Sequence, residues 1–129
     1  MTAVAQALSN RVLLVDDDYT DQRLVQIIMQ RRGIHVDECL TPTAAPILID
    51  KNGYDAIFVD YRLPILTGPE LIKRFRDKMH CPVYILSAHD PDYVKEQVDK
   101  IGVHVDGIIS KDGMRRNLDA VMDRIYGPL

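Results

Sequence analysis

What the chain has little of narrows its function first. Lys and Arg number 16 against 19 Asp and Glu, giving a net charge of −3 and an isoelectric point of about 5.7, so the basic surplus of a nucleic-acid binder is missing. No apolar run approaches the roughly 18 residues that a membrane span needs. Met1 to Asn10 has neither the basic start nor the apolar core of a signal peptide. There are two cysteines, Cys39 and Cys81, far apart and in no CxxC or metal-ligand pattern. Each reads as a small buried hydrophobe, which suits a reducing compartment, the cytoplasm by default. No glycine-rich phosphate cradle follows the first apolar run; Asp16-Asp17-Asp18 stands there instead and would repel a dinucleotide's phosphates.

At 129 residues, with 47% apolar and 27% charged residues, the chain has the composition of one domain built on one core. Its organising stretch is Tyr54 to Gly68. Ala56-Ile57-Phe58-Val59 is an apolar run too short for a buried helix and rich in β-formers, as expected of a strand covered on both faces in a parallel sheet. Asp60 ends that run, so its carboxylate is expected at the strand's C-terminal tip, the edge at which open α/β sheets bind ligands. Pro64 and Gly68 then set a loop before the next helix.

Similar units recur along the chain. Arg11 to Val15 reads as a strand that runs into Asp16-Asp17-Asp18. The spacing of Leu24, Ile27, Ile28 and Arg31 predicts a helix over 20–32 with that face inward, stopped by Gly33. Residues 34–40 form a weaker edge strand with Val36 and Cys39 as its apolar positions. A short helix follows, with Thr43 as N-cap, Pro46 at the third helical position and Asn52-Gly53 as its stop. Gly68-Pro69-Glu70 opens a helix buried through Leu71, Ile72 and Phe75. Residues 82–87 are a strand ending at Ser87. Asp90-Pro91 caps the next helix, which turns Val94, Val98 and Ile101 inward and ends at Gly102. Residues 106–110 are a strand followed by Lys111, and the last helix runs from Met114 to Tyr126 on Leu118, Val121, Met122 and Ile125. Five βα units with short connections predict an α/β fold, an all-parallel five-stranded sheet with helices on both faces. Residues 1–10 read as a flexible leader and 11–129 as the domain.

Four of the five strands thus end in a functional group on one edge of the sheet: Asp16 and Asp17, Asp60, Ser87, and Lys111. Three carboxylates gathered there repel one another unless a cation joins them. Mg²⁺ answers that need, since it is typically held by one or two protein carboxylates with waters and a phosphate. Lys111 can reach an anion, and Ser87 can offer a hydroxyl to a phosphoryl oxygen. A carboxylate nucleophile with these partners makes a phosphoryl-transfer site. Taken singly, each group has a plainer account: a solvated helix start for Asp16 to Asp18, and surface residues for Lys111 and Ser87.

Together these residues resemble the receiver domain of two-component response regulators. Val12-Leu13-Leu14-Val15-Asp16-Asp17, Asp60 with Leu63-Pro64 and Thr67-Gly68 behind it, Ser87-Ala88, and Lys111 carry the likeness over about residues 11–126. The resemblance implies a flavodoxin-like (βα)5 sheet of order 2-1-3-4-5. It implies that Asp60 is phosphorylated from a sensor histidine kinase or histidine phosphotransfer protein. Asp16, Asp17 and Asp60, with the backbone carbonyl of Arg62, would hold Mg²⁺; Ser87 would supply the switch hydroxyl and Lys111 the family's lysine. Ala88 is small, as phosphoryl access requires. By the same likeness the protein is a regulatory phosphoacceptor rather than an enzyme, one that assists its own phosphorylation and dephosphorylation and signals by altered protein binding. Its downstream target would dock on the face of the fourth helix, fifth strand and fifth helix, where Lys95, Asp106, Arg115 and Arg116 can serve a partner or a homodimer.

Three features depart from the family pattern. Ile108 stands where an aromatic switch residue is frequent, and it has no hydroxyl to expose. Asp112 follows Lys111 where proline is frequent, so a trans peptide is expected there. Arg62 and His89 fill two variable positions and are expected to flank the phosphoryl site. Two other functions compete with the switch. A phosphatase working through an aspartyl phosphate would carry a second aspartate two residues after the nucleophile, where Arg62 stands. A degenerate receiver acting as a constitutive binding module sits poorly with a full set of acids and the lysine. The sequence stops soon after the last helix, so output through a binding partner, without an output domain, is the expectation.

Overall fold

The computed structural model describes residues 8–129, so the expected leader lies outside the described residues over 1–7. The chain runs β1 (Arg11–Val15), α1 (Tyr19–Gln30), β2 (His35–Cys39), α2 (Ala45–Lys51), β3 (Ala56–Asp60), α3 (Gly68–Phe75), β4 (Val83–Ser87), α4 (Pro91–Ile101), β5 (Gly107–Ser110) and α5 (Met114–Tyr126). Short 3₁₀ turns at Pro42–Ala44 and Arg76–Lys78 precede α2 and follow α3. Every strand pairing is parallel and the order is β2-β1-β3-β4-β5, as expected.

The alternation of side chains along each strand divides the interior into two layers. Val12, Leu14, Ala56, Phe58, Tyr84 and Leu86 face one way and pack with Val25, Ile28 and Met29 of α1 and Leu118, Val121 and Met122 of α5. Leu13, Val15, Ile57, Val59, Val83 and Ile85 face the other way, beneath Ala45, Leu71, Ile72, Val94 and Val98 from α2 to α4. With both faces covered, the central strands have no solvent side, which is why they read as unbroken apolar runs.

Two helices differ from the expected pattern. In α1 the buried residues are Gln22, Val25, Ile28 and Met29, whereas Ile27 is 47% exposed and Arg31 lies on the surface. Both stripes have helical spacing and share Ile28, so periodicity alone does not separate them. Packing against α5 and the sheet selects the stripe that also takes in Gln22, whose amide donates to the Asp16 carbonyl at 2.7 Å. In α2 the cap is not Thr43, which lies inside the 3₁₀ turn headed by the buried Pro42; Ala44 precedes the helix and Pro46 falls in its first turn. Cys39 is buried as expected, while Cys81 is only partly so. The peptide after Lys111 is trans, and no cis peptide occurs among the described residues.

The N-terminal edge of the sheet is closed by one carboxylate. Asp55 Oδ1 accepts from the Ser9 N–H (2.8 Å) and hydroxyl (3.0 Å), and Oδ2 accepts from the Arg11 N–H (3.3 Å) and the Tyr126 hydroxyl. Burial pushes the Asp55 carboxyl up, but these donors outweigh it and hold it below the usual carboxylate range. The His35 N–H donates to the Asn10 carbonyl at 2.9 Å, so the last residues of the expected leader are fastened to the sheet.

At the opposite edge, register alone brings the polar strand ends together. Val15 pairs with Val59, so Asp16 and Asp60 follow as neighbours on adjacent strands. Ser87 pairs with Ser110, and Lys111 comes one step later, its N–H donating to the Ser87 carbonyl at 2.8 Å.

Candidate functional site at the C-terminal edge of the sheet

The strand ends and the loops after β3 and β4 enclose a cleft of about 560 Å³ whose walls include Asp17, Asp60, Arg62, Ser87, Ala88, His89 and Lys111. Asp16 is fully buried and Asp60 is 5% exposed; Asp17 is on the surface. One oxygen from each of these three carboxylates lies within 4.8 Å of the others. Asp16 Oδ1 accepts from the Asp18 N–H at 2.8 Å, but Oδ2 is buried and has no hydrogen-bond partner among the described residues. Burial pushes the Asp16 carboxyl up to about 7; the Asp18 N–H opposes this and the nearby Asp60 charge adds to it. Burial likewise raises Asp60, with Lys111 opposing. The donor set is all oxygen and anionic, the kind a hard divalent cation takes.

Lys111 brings an ammonium into the cluster. Its Nζ meets Asp60 Oδ1 at 2.8 Å and also donates to Asp21 Oδ2. Burial disfavours the ammonium, yet the hydrogen bonds it donates to both carboxylates outweigh that and hold its pKa above the ordinary lysine value. Ser87 is 1% exposed, and its Oγ accepts from the His89 N–H at 2.9 Å. Ala88 is exposed beside it.

The loop after β3 is shaped by α3. Thr67 and Glu70 form a reciprocal capping box, and the Gly68 N–H donates to the Tyr61 carbonyl at 2.8 Å. A Cβ on Gly68 would stand 2.4 Å from the Asp60 carbonyl oxygen, so only glycine lets the helix begin against the strand that carries Asp60. Arg62 and His89 flank the cleft as expected, and they also meet each other, with Arg62 Nη2 3.2 Å from His89 Nε2. A guanidinium can only donate, so this imidazole nitrogen accepts. The imidazole also packs against Tyr61 and Tyr93, at ring-centroid distances of 5.2 and 5.4 Å.

The structure therefore gathers Asp16, Asp17, Asp60, Ser87 and Lys111, with Arg62, Ala88 and His89 at the mouth. It leaves out Ile108, which is partly buried against the core layer under α4. Sequence reasoning missed Asp21, Tyr61 and Tyr93. For Asp21 the one signal was its place in the first turn of the helix that follows Asp16 and Asp17.

Carboxylates and a lysine at the C-terminal edge of a parallel 2-1-3-4-5 sheet define a flavodoxin-like fold of the receiver class. The chain belongs to the response regulator receiver domain family of two-component signalling, whose model matches residues 12–123. It is similar to the two-component response regulator ARR10 of Arabidopsis thaliana, 38% identical over 91 residues that span 68% of this chain and 16% of that protein. The receiver domain of the Francisella response regulator 1452 is 30% identical, with a TM-score of 0.76 over 90% of this chain and 95% of that one. The Thermotoga maritima response regulator TrrA, solved in complex with Mg²⁺-BeF, shares the fold at 20% identity, with a TM-score of 0.76 over 90% and 98% of the two chains. The matched stretch spans between 16% and 43% of the length of the first curated relatives. No helix among the described residues is long and apolar enough to cross a membrane.

Proposed function

We propose that this receiver is a phosphorylation-dependent switch in the cytoplasm, in which Asp60 accepts a phosphoryl group from the phosphohistidine of a sensor kinase or phosphotransfer protein. The observation that carries the reading is the buried, partnerless Oδ2 of Asp16 within a trio of carboxylates. A buried charged oxygen without a partner is costly, and a cation at this point removes the cost. Asp16, Asp17 and Asp60 fit Mg²⁺, to which the likeness to receivers adds the Arg62 carbonyl; the ion when bound offsets the negative charge that a phosphoryl group brings.

The chain's own groups account for the transfer. An Asp60 carboxylate oxygen forms the new bond to phosphorus, in line with the breaking P–N bond, whose electron pair returns to the donor's imidazole nitrogen. Lys111, already beside Asp60, donates to a phosphoryl oxygen. The Ser87 hydroxyl turns to another, and because its Oγ holds the His89 N–H, that motion reaches the start of α4. Of the charges expected to serve a target, Lys95 on α4 and Arg115 and Arg116 on α5 are exposed. Asp106 is committed elsewhere, accepting from the Val83 N–H at 2.7 Å.

The test is incubation with phosphoramidate and Mg²⁺. One alkali-labile label per chain is expected, absent in Asp60→Asn, which should remain folded by circular dichroism. Wild-type uptake in Asp60→Asn would refute the assignment, and repeated turnover of phosphate esters would point to a phosphatase.

A further inference from the structure

We propose that Asp21 is a positioning residue for Lys111, a tether that keeps the ammonium in the cleft while the charge on Asp60 changes. This rests on the reading of Asp60 as phosphoryl acceptor. Lys111 Nζ is shared between Asp60 Oδ1, at 2.8 Å, and Asp21 Oδ2, and the side chains of Lys111 and Asp21 are each only 18% exposed.

The local structure of α1 shows that Asp21 is not needed as a helix cap. An acid at the third helical position ordinarily reaches back to the N–H of the cap residue. Here that N–H, on Asp18, is donated to Asp16 Oδ1 at 2.8 Å. The Asp18 carboxylate in turn accepts from the Asp21 N–H at 3.0 Å, so the first turn is capped without the Asp21 side chain. That carboxylate is left to meet Lys111, 90 residues away in sequence.

Phosphorylation supplies the reason for a second partner. Once one Asp60 oxygen is bonded to phosphorus in an acyl phosphate, that carboxylate no longer carries the charge that held Lys111, whereas Asp21 is unaltered by the reaction. An ammonium has three donors, so one can keep Asp21 while another turns to a phosphoryl oxygen. A lysine on a flexible four-carbon stem gains most from such an anchor, because donors fixed in advance stabilise charge as it develops.

The experiment measures the rate of Asp60 labelling by phosphoramidate and Mg²⁺ in Asp21→Ala, Asp21→Ser and Asp21→Asn, each alone and with Lys111→Met. Ser is too short to reach Lys111 but suits a helix's first turn, so it stands in should the alanine variant unfold. Truncation is expected to slow labelling by about ten- to a hundredfold, the penalty for a misplaced group. Asp21→Asn, which keeps an oxygen acceptor, should retain most of the rate. With Lys111→Met in place, none of the Asp21 variants should lower the residual rate further. Truncated variants as fast as wild type, or an equal loss in the Lys111→Met background, would overturn the tether and leave the acceptor reading standing. An unlabelled wild type would overturn both.

Discussion

Asn at position 16 removes one charge from a fully buried side chain and leaves its shape unchanged. In the protein without metal that charge lies beside Asp60, and one of its oxygens has no partner among the described residues. A carboxyl raised from 3.8 to about 7 in the folded state favours folding most while it stays protonated. Its contribution is complete below pH 3.8 and is lost as the pH rises to about 7. At pH 8 the ionised side chain then costs at most about 4 kcal/mol, and water entry and relaxation reduce this to about 1–3 kcal/mol. Asp16→Asn should therefore melt higher than wild type in chelator, by roughly 4–12 °C. Metal reverses the comparison. A ligand at a hundred times its Kd adds about 2.7 kcal/mol to the state that binds it, and only wild type keeps the complete acid set. Melting curves at pH 8, in chelator and across a Mg²⁺ titration, should cross between the two proteins. A variant that melts below wild type in chelator, or gains as much from Mg²⁺, would refute the reasoning.

Arg62→Ala and His89→Ala should each shorten the half-life of phosphorylated Asp60, by about two- to tenfold, or up to about 1.4 kcal/mol of barrier, because both side chains obstruct the in-line approach of water; slower decay in acid-gel assays would mean that they assist it. Asp55→Asn should destabilise by about 1–3 kcal/mol at neutral pH, since its amide sets a donor against the Ser9 or Arg11 N–H. Because Asp55 is held below the usual carboxylate range, its contribution is present above the unfolded value and lost as pH falls through the folded one, so acid unfolding of the variant should be less steep. Gly68→Ala should cost about 1–3 kcal/mol in denaturant titrations although alanine is the better helix former, because the methyl group meets the Asp60 carbonyl. A stabilised variant would show that α3 can shift freely.

The strands and the edge where they end were legible because burial on both faces leaves a one-dimensional signature: Val12 to Val15, Ala56 to Val59 and Val83 to Leu86 are apolar without alternation, and each is followed by a polar residue. The cleft followed from that, since parallel strands present all their ends together. What stayed hidden depends on contacts distant in sequence. The inward face of α1 was set by α5 and by an amide bonding the Asp16 carbonyl, and Asp21 acquired its partner only when the residue after β5, Lys111, reached the first turn of α1. The start of α2 was hidden for a local reason: Pro42 begins a tighter turn, and the α-helix takes over only at Ala45.

Asp55 and Asp16 face opposite ends of one sheet and are treated in opposite ways, the first surrounded by donors and the second left with an oxygen that nothing among the described residues bonds. The fold thus has a root and a tip. Local opening should be hardest at the root, where strand, leader and last helix meet in one clasp, and easiest at the tip, where acids repel. In amide hydrogen exchange, the loops after β3 and β4 should lose protection well before the amides of Arg11 and Asp55. In a receiver built this way, the clasp at one end would preserve the register to which the other edge returns after any rearrangement.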